Sequence, residues 1–341
     1  MIHGHGNDGY RLGRRLRADF SSNVLPGGPS PAVRRVVSEA LADIGTYPEA
    51  GAESFVAAVA RAEGVAPENV CATNGAVAAL HLLAQLRPGA RSAIAIPAFS
   101  DYEEAAVRQG HELLFFPAED LAAGHVPAAD LVWLANPNNP TGATISPGRL
   151  LALVDARPQT LFIVDLAYAG LCAEPPLSAS EATRRANLLV VLSFTKRHAI
   201  PGLRLGAVVG PAELVAEVSA RGGPWAVNSL ALAAGRHLAS LGEQDSARRL
   251  ECLAESLRLQ AALAGLSGIA VRPSPTNYFI LRSARATGTA LREHLLHEHA
   301  LLVRDAGNFR GLDPHWIRIG AQSPRENAWL EEAVKQWVTR H

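Results

Sequence analysis

Short apolar runs alternate with helical patterns along the first two thirds of the chain, and this alternation limits the possible folds more than any other feature. Six runs have the length and composition of strands, at residues 69–72, 92–96, 131–135, 161–164, 188–192 and 205–209. Stretches rich in Ala and Leu, with helical spacing, lie between them at residues 76–86, 101–109, 147–155 and 211–220. Because a helix between two strands returns the chain to the same end of the sheet, this order predicts a mostly parallel α/β sheet.

The pattern changes near residue 235, where strands and helices no longer alternate regularly. Helical stretches cover residues 230–263, 286–299 and 324–340, and strand-like runs occur at 269–272, 277–281, 301–304 and 316–319. This α+β order predicts a large α/β domain over residues 41–234 and a smaller C-terminal α+β domain over residues 235–341. Residues 1–40, which include Pro-Gly-Gly-Pro at 26–29, are expected to form an arm that packs with the small domain.

Charge and composition exclude several classes of protein. Lys plus Arg and Asp plus Glu both total 32, so the chain lacks the basic surplus of a nucleic-acid-binding protein. No apolar stretch approaches the roughly 20 residues that span a bilayer, and the first six residues lack the features of a signal peptide. The three cysteines, Cys71, Cys172 and Cys252, are widely spaced and suggest neither a disulfide framework nor a metal site. We therefore expect a cytoplasmic protein without nucleic-acid or membrane partners.

Lysine is rare in this chain, since only Lys196 and Lys335 are found among the 32 basic residues. A chain rich in Ala, Gly and Arg can replace Lys with Arg wherever charge alone is needed. A retained lysine therefore suggests amine chemistry that a guanidinium cannot perform, although chance retention is the alternative. Lys335 lies near Glu331 in the last predicted helix, where a surface ion pair is expected. Lys196 is therefore the candidate for chemistry.

Unusual residues follow the predicted strands, at the edge of the sheet where open α/β proteins bind ligands. Gly75 lies in a turn before a helix that starts with Ala76 and Val77, and such a helix start offers unpaired N–H groups to a phosphate. Many turns of this kind bind nothing. The loop at 136–142, with the sequence Asn-Pro-Asn-Asn-Pro-Thr-Gly, is rigid and rich in amides. This loop is a much more specific signal than the glycine turn.

Two further residues at this edge are candidates for holding a planar, positively charged ring. Asp165 follows the apolar run at 161–164, and a carboxylate there needs a cation or several donors to offset its desolvation. A helix-capping role is the alternative for Asp165. Tyr102 follows the second strand and could stack on the ring, although an ordinary packed aromatic is the alternative.

The segment after the fifth strand combines hydroxyls with basic groups. Ser193, Thr195 and Lys196 are followed by Arg204, a set that suits a phosphate monoester beside a reactive amine. A solvated basic loop is the alternative, but the apolar residues at 199–203 argue against it. With Asp165 and the glycine turn, these residues supply the parts needed to hold pyridoxal phosphate, namely a lysine, a carboxylate for the pyridine nitrogen and donors for the phosphate. Pyridoxal 5'-phosphate is therefore the predicted cofactor.

On these motifs the chain resembles the fold-type-I pyridoxal-phosphate enzymes, in the branch that contains histidinol-phosphate aminotransferases. Within that branch it looks most like the L-threonine-O-3-phosphate decarboxylases of cobalamin biosynthesis. The motifs that carry the resemblance are those at 19–23, 47–49, 136–142, 193–196, 200–206, 224–228 and 275–278, together with Arg304 and Arg318. The resemblance implies the fold-type-I fold, with a mostly parallel seven-stranded sheet.

The resemblance also implies roles for residues around the cofactor. Lys196 would bond to the cofactor aldehyde and later move protons at the substrate α-carbon, and Asp165 would pair with the pyridinium nitrogen. The other residues implied to contact the cofactor are Tyr102 on the ring, Tyr168 and Asn139 at the phenolate oxygen, and Gly75, Ala76, Val77, Ser193, Thr195 and Arg204 at the phosphate. Tyr47 would reach that phosphate from a neighbouring subunit, which implies a homodimer with active sites at its interface.

On the substrate side, the resemblance implies a phosphorylated amino acid. Arg318 would bind its carboxylate, and Asn139 would contact it. Asn23, Arg304 and the histidine arm of His3 and His5 would close over it, with Arg304 and one histidine on its phosphate.

The resemblance implies decarboxylation of L-threonine O-3-phosphate, which yields (R)-1-amino-2-propanol phosphate and carbon dioxide for cobalamin biosynthesis. The alternative is a class I/II aminotransferase that acts on histidinol phosphate or a related amino acid. The two reactions differ in which bond at the α-carbon stands perpendicular to the ring, and a sequence does not fix this orientation. A non-catalytic regulator is a third possibility, but it would need a DNA-binding domain or a basic patch, and the sequence shows neither.

Overall fold

The computed structural model describes residues 8–241 and 246–340, so His3 and His5 lie outside the described residues. The strands, in chain order, are β1 (Ala18–Asp19), β2 (Val70–Thr73), β3 (Arg91–Ile96), β4 (Glu112–Pro117), β5 (Leu131–Ala135), β6 (Leu161–Asp165), β7 (Leu188–Ser193), β8 (Gly206–Val209), β9 (Ile269–Arg272), β10 (Tyr278–Ser283), β11 (Leu301–Leu302), β12 (Arg304–Asp305) and β13 (Trp316–Gly320).

The helices, in chain order, are α1 (Pro31–Glu39), α2 (Glu53–Glu63), α3 (Ala76–Ala84), α4 (Ser100–Arg108), α5 (Ala118–Ala123), α6 (Pro147–Asp155), α7 (Ser180–Thr183), α8 (Ala212–Gly222), α9 (Ser229–Ser240), α10 (Ser246–Ala264), α11 (Gly288–His299) and α12 (Pro324–Arg340). Within the described residues, no helix combines the length and the continuous hydrophobicity that a bilayer span requires.

A seven-stranded sheet forms the centre of the molecule, in the strand order β2-β8-β7-β6-β5-β3-β4. Its strands run parallel except β8, which is antiparallel to both neighbours. Every residue of β5 is buried, and its side chains alternate between two apolar clusters, with Val132 in one and Trp133 in the other. Both faces of the sheet are therefore covered, as expected where helices pack on both sides of a parallel sheet.

A smaller four-stranded sheet forms in the C-terminal part, in the order β12-β13-β10-β9, and all its neighbouring strands are antiparallel. Its core includes Phe279 and Ile317 from the sheet, Leu330 from α12, and Phe20 from the N-terminal segment. The N-terminal segment also supplies β1, which pairs in parallel with β11. The predicted fold, a mostly parallel seven-stranded sheet with a smaller α+β part, is confirmed.

The structure corrects two details of the predicted secondary structure. The helical stretch at 230–263 is two helices, α9 and α10. The strand at 301–304 is two short strands, because β11 pairs with β1 and β12 pairs with β13. Residues 234 and 235, between which the domain boundary is predicted, both lie in α9, whose Ala234 and Leu238 pack with Val33 and Ile200. The division into domains remains a prediction.

Strand β4 was not among the six strands that the sequence pattern indicated. It is an edge strand that pairs only with β3 among the described strands, and it ends at Pro117. Most of its residues are only partly buried, unlike those of the central strands. A strand with this partial burial and a terminal proline is typical of a sheet edge.

Candidate active site

A cavity of about 390 Å³ opens at the carboxyl ends of the parallel strands. Ala135, Asp165 and Ser193 end β5, β6 and β7 respectively, and all three line the cavity. The other lining residues are Ser21, Ser22, Asn23, Ala76, Val77, Phe99, Asp101, Tyr102, Asn139, Ala167, Tyr168, Thr195, Lys196, Arg204 and Arg318. Most residues that the sequence analysis singled out are thus brought to one place.

Lys196 lies in the connection between β7 and β8, where the chain leaves one strand and returns antiparallel to it. Its backbone carbonyl accepts hydrogen bonds from the N–H groups of Leu25 (3.0 Å) and Ala199 (3.4 Å). Its Nζ lies 5.9 Å from the centre of the Tyr168 ring. The backbone around the lysine is therefore held while its amine lies beside a tyrosine at the cavity wall.

Asp165 is a buried carboxylate with defined hydrogen-bond partners. Its Oδ1 accepts the N–H of Ala167 at 2.8 Å, and its Oδ2 accepts the hydroxyl of Tyr102 at 2.8 Å. The pKa of Asp165 lies above its ordinary value, because the effect of burial exceeds the opposing effects of these hydrogen bonds and of the charge of Lys196. Since a lone buried carboxylate is costly, a positively charged group in the cavity would stabilise its ionised form.

An anion-binding corner lies at the N-terminus of α3. Gly75 precedes this helix with a φ of 83°, and within residues 8–241 and 246–340 no side chain caps the first N–H groups of the helix. A Cβ atom at Gly75 would lie 2.6 Å from Nη2 of Arg204, so the arginine packs directly on the turn. The hydroxyls of Ser193 and Thr195 lie 2.9 Å apart at the same cavity. Backbone donors, two hydroxyls and a guanidinium therefore converge as a phosphate requires.

A second cationic group enters the cavity from the small sheet. Arg318 of β13 is buried, and its Nη1 donates to Oδ1 of Asn139 at 2.6 Å while its Nη2 donates to the carbonyl of Ser21 at 2.7 Å. Its Nε has no hydrogen-bond partner among the described residues. One guanidinium thus links the amide loop, the N-terminal segment and the small sheet at the cavity.

Asn23 lies beside this arginine, and its side chain is only 1% exposed. Neither its Oδ1 nor its Nδ2 has a hydrogen-bond partner within the described part of the chain. Since buried amides are normally satisfied, a polar ligand in the cavity is the expected partner.

Some predicted site residues are not among those that line the cavity. Arg304 is buried, but its guanidinium donates to the carbonyl of Asp305 and to Oδ1 of Asn308. Its Cα pairs with that of Arg318 across β12 and β13, so the two arginines are nearest neighbours on adjacent strands. Gly75 contacts the cavity residue Arg204. Tyr47 lies on the surface and is 82% exposed.

Sequence reasoning missed several residues that line the cavity. Phe99 precedes α4, Asp101 lies in its first turn next to Tyr102, and Ser21 and Ser22 lie in the N-terminal segment. Tyr278 is not a lining residue but packs on Tyr168, which is one, with ring centres 4.7 Å apart, and its hydroxyl donates to the carbonyl of Asn138. The motifs that carried the family resemblance contained Ser21, Ser22 and Tyr278, but only the folded chain shows where these side chains lie.

The arrangement fits pyridoxal phosphate on the donors present. Lys196 supplies an amine, and the corner at Arg204 supplies a phosphate site. Asp165 supplies a buried carboxylate whose hydrogen-bond donors among the described residues, Tyr102 and Ala167, are uncharged. Because the Oδ1 of Asn139 is taken by Arg318, the amide nitrogen of Asn139 is the group left to donate to a ligand.

The chain is similar to known proteins over most of its length. The sequence model of the family "Aminotransferase class I and II" matches residues 18–336. The histidinol-phosphate aminotransferase of Symbiobacterium thermophilum is 30% identical over 95% of this chain and 91% of its own. The threonine-phosphate decarboxylase of Salmonella typhimurium is 29% identical over 94% of this chain and 91% of its own.

A solved structure gives the same result for the fold. The L-threonine-O-3-phosphate decarboxylase of Porphyromonas gingivalis superposes with a TM-score of 0.90 and 33% identity, covering 94% of this chain and 99% of its own. The fold-type-I identification made from the sequence is confirmed. The chain belongs to the aminotransferase class I and II family.

Proposed function

We propose that this chain binds pyridoxal 5'-phosphate and decarboxylates L-threonine O-3-phosphate, releasing carbon dioxide and (R)-1-amino-2-propanol phosphate. The observation that carries the proposal is the likeness to the decarboxylase of P. gingivalis, which extends over nearly the whole of both chains. The product would serve cobalamin biosynthesis, and the proposed location is the cytoplasm.

The cofactor, when bound, supplies a protonated ring that takes up the electron pair released at the substrate α-carbon. Asp165 is proposed to hold the proton at the ring nitrogen, since its buried carboxylate is stabilised by a cation. Tyr168 and Asn139 would donate to the phenolate oxygen. Ala76, Val77, Ser193, Thr195 and Arg204 would hold the phosphate, as the anion-binding corner suggests.

Lys196 is proposed to anchor the cofactor aldehyde and then to act on protons. In decarboxylation the bond between the α-carbon and the carboxylate carbon breaks, and the carboxylate leaves as carbon dioxide. The α-carbon then needs a proton in its place. Lys196 would deliver that proton, because its amine lies at the cavity beside Tyr168.

Two arginines are proposed to orient the substrate. Arg318 would bind the carboxylate, since its Nε has no described partner. Arg304 would bind the substrate phosphate together with His3 or His5, after its side chain leaves Asn308. With both anionic groups held, the carboxylate can be turned out of the plane of the ring, which is the orientation that decarboxylation needs. Asn23 would contact the substrate with its unpartnered amide.

An aminotransferase is the second candidate, and a specific observation favours it. Histidinol-phosphate aminotransferases from three organisms are 30 to 31% identical to this chain over at least 88% of it. The same cavity would catalyse transamination if the hydrogen at the α-carbon, rather than the carboxylate, were perpendicular to the ring. Lys196 would then remove the proton from the α-carbon and pass it to the cofactor, to which the amino group would be transferred.

We further propose a homodimer in which Tyr47 enters the active site of the second copy. Support comes from an exposed apolar segment that includes Leu41, Ile44 and Tyr47, with Trp225 against the tyrosine. Large apolar side chains exposed together are typical of surfaces that a partner covers.

Product analysis tests the proposal directly. The protein, loaded with pyridoxal phosphate, is incubated with O-phosphothreonine, with and without 2-oxoglutarate, and with histidinol phosphate plus 2-oxoglutarate. The decarboxylase is supported by carbon dioxide and an amine product that form without the keto acid. The aminotransferase would be established instead if 2-oxoglutarate is converted to glutamate with histidinol phosphate as the amino donor, and no carbon dioxide forms from O-phosphothreonine.

A further inference from the structure

Trp225 has a backbone conformation that is unusual for a bulky residue. It lies between α8 and α9 with a φ of 58°, in the left-handed region that is common for Gly and that L-residues other than Asn and Asp rarely adopt. Its side chain is 50% exposed, so burial of the indole does not explain the conformation. Residues held in such conformations persist where the surrounding contacts require them, and they are frequent at functional sites.

Two contacts tie Trp225 to the segment that carries Tyr47. The N–H of Trp225 donates to the carbonyl of Ala50 at 2.9 Å. Its ring packs on the ring of Tyr47, with centres 5.0 Å apart and planes inclined by 34°. The left-handed conformation therefore lets the backbone of Trp225 bond to Ala50 while its indole packs on the ring of Tyr47, three residues earlier in the same segment.

The base of this segment is braced independently. Oε2 of Glu49 accepts the N–H of Ser54 at 2.6 Å, and its Oε1 lies 3.6 Å from Nη1 of Arg236 on α9. The same Nη1 donates to the hydroxyl of Ser54 at 3.0 Å. The backbone next to Tyr47 is therefore fixed to α2 and α9, whereas the tyrosine ring projects from the surface and has Trp225 as its aromatic neighbour.

We propose that Trp225 is a positioning residue that holds the ring of Tyr47 in the projecting orientation with which its hydroxyl reaches the cofactor phosphate of a second copy. This inference rests on the homodimer of the proposed function. It goes beyond that proposal, because it assigns a role to Trp225 and explains its backbone conformation. Without the indole, the tyrosine would sample several rotamers, and the bound orientation would be only one of them.

The test measures the dissociation constant of pyridoxal phosphate by absorbance titration of the cofactor-free protein, at concentrations where sedimentation shows a dimer. Trp225→Gly keeps the left-handed backbone without the ring, Trp225→Phe keeps an aromatic, and Tyr47→Phe removes only the hydroxyl. Ala300→Gly is the matched control, because Ala300 also has a left-handed φ, of 56°, but lies after α11 in the small domain.

We expect Trp225→Gly to weaken cofactor binding about fivefold to tenfold and Trp225→Phe to restore most of the loss. In the Tyr47→Phe background, Trp225→Gly should add less than twofold, because the hydroxyl that it positions is already absent. Ala300→Gly should bind the cofactor as the unmodified protein does, and the melting temperature of Trp225→Gly should not fall below that of the unmodified protein by more than a few degrees.

Three outcomes would overturn the inference in different ways. If Tyr47→Phe weakens binding and Trp225→Gly does not, Trp225 has no positioning role, and the dimeric site stands. If Trp225→Gly dissociates the dimer, Trp225 acts only as an interface contact. If neither change affects binding while the cofactor still attaches to Lys196, the role of Tyr47 fails together with that of Trp225, and the cofactor assignment remains.

Discussion

The hydroxyl of Tyr102 donates a hydrogen bond of 2.8 Å to Oδ2 of Asp165, and both side chains are buried. The other carboxylate oxygen is held by the N–H of Ala167, so the carboxylate is fixed from two sides. Tyr102 itself packs against Trp133 in a stacked arrangement, with ring centres 6.2 Å apart. The tyrosine predicted to stack on the cofactor ring is thus also the residue that orients the acid.

Tyr102→Phe should therefore lower turnover while the protein still binds the cofactor. A hydrogen bond to a charged group contributes about 1.5–3 kcal/mol, so we expect a loss of roughly tenfold to a hundredfold in kcat.

Asp165→Asn should lower kcat by several orders of magnitude, because a neutral amide does not hold the ring proton. Steady-state kinetics and the pH dependence of the visible absorbance band check both variants. Full activity in Asp165→Asn would show that another group tunes the ring.

Lys196 should carry the cofactor. Borohydride reduction of the loaded protein followed by peptide mapping should find the label on Lys196, and Lys196→Arg should lose turnover because a guanidinium remains protonated. Lys335→Arg is the matched control, since Lys335 pairs with Glu331 on the surface at 2.7 Å. A label on Lys335, or no label at all, would contradict the site assignment.

Arg304 should distinguish the decarboxylase from a generic aminotransferase. We expect Arg304→Ala to reduce kcat/KM for O-phosphothreonine at least about tenfold, since charge-assisted contacts with a phosphate are strong. The absorbance of the bound cofactor should barely change, because its phosphate lies at Arg204.

Arg310→Ala is the control for this segment, because Arg310 forms an ion pair with Glu103 at 3.0 Å and is largely exposed. Unchanged kinetics in Arg304→Ala would remove the phosphate-binding role and most of the case for the decarboxylase.

Mixed dimers should show whether active sites are shared. We expect Lys196→Ala and Tyr47→Phe chains each to form homodimers with impaired activity. In a mixed dimer, one site has Lys196 from one chain and Tyr47 from the other, and that site is intact. Tagged chains, unfolded together and refolded, should regain roughly half of the activity per mixed dimer. If mixing restores nothing while each variant remains a dimer, Tyr47 acts within its own chain, and if Tyr47→Phe alone keeps full activity, Tyr47 has no role.

Acid should destabilise the protein through His198. Burial, together with the charge of Arg197, lowers the pKa of His198 from 6.5 to about 4. Between pH 6.5 and about 4, His198 is therefore protonated in the unfolded chain but neutral in the folded chain. The free energy of unfolding consequently falls as the pH decreases through this range.

Between pH 7 and 5 this effect amounts to about 1–2 kcal/mol, measured by urea unfolding. His198→Gln should lose that part of the pH dependence. An identical dependence in both proteins would mean that His198 is protonated in the folded state.

The large sheet could be predicted from the sequence because its central strands are continuous apolar runs, as in β5 and β6, that are buried on both faces. Strand β4 was missed because its edge position leaves it partly exposed, so its pattern is weak. The division of residues 301–305 between two sheets was also missed. Only long-range pairing with β1 and β13 determines where one short strand ends and the next begins.

The site could be predicted in its parts but not in its contacts. Lys196, Asp165 and Asn139 stand in distinctive local sequences, so their presence at the cavity followed from the strand pattern. The bond from Tyr102 to Asp165 joins residues 63 positions apart, and the bond from Arg318 to Asn139 joins residues 179 positions apart. Such contacts depend on side-chain directions in the folded chain. His3 and His5 lie outside the described residues, so their predicted role remains a prediction.

The short strands at 301–305 have a mechanical consequence. Leu301 and Leu302 pair with β1 of the N-terminal segment, and Arg304 and Asp305 pair with β13, so five consecutive residues connect that segment to the small sheet. The hydrogen bond from Arg318 to the carbonyl of Ser21 is a second connection. The N-terminal segment that carries Asn23 is therefore bonded to the small sheet that carries Arg318 at two separate places, and a movement of one would carry the other with it.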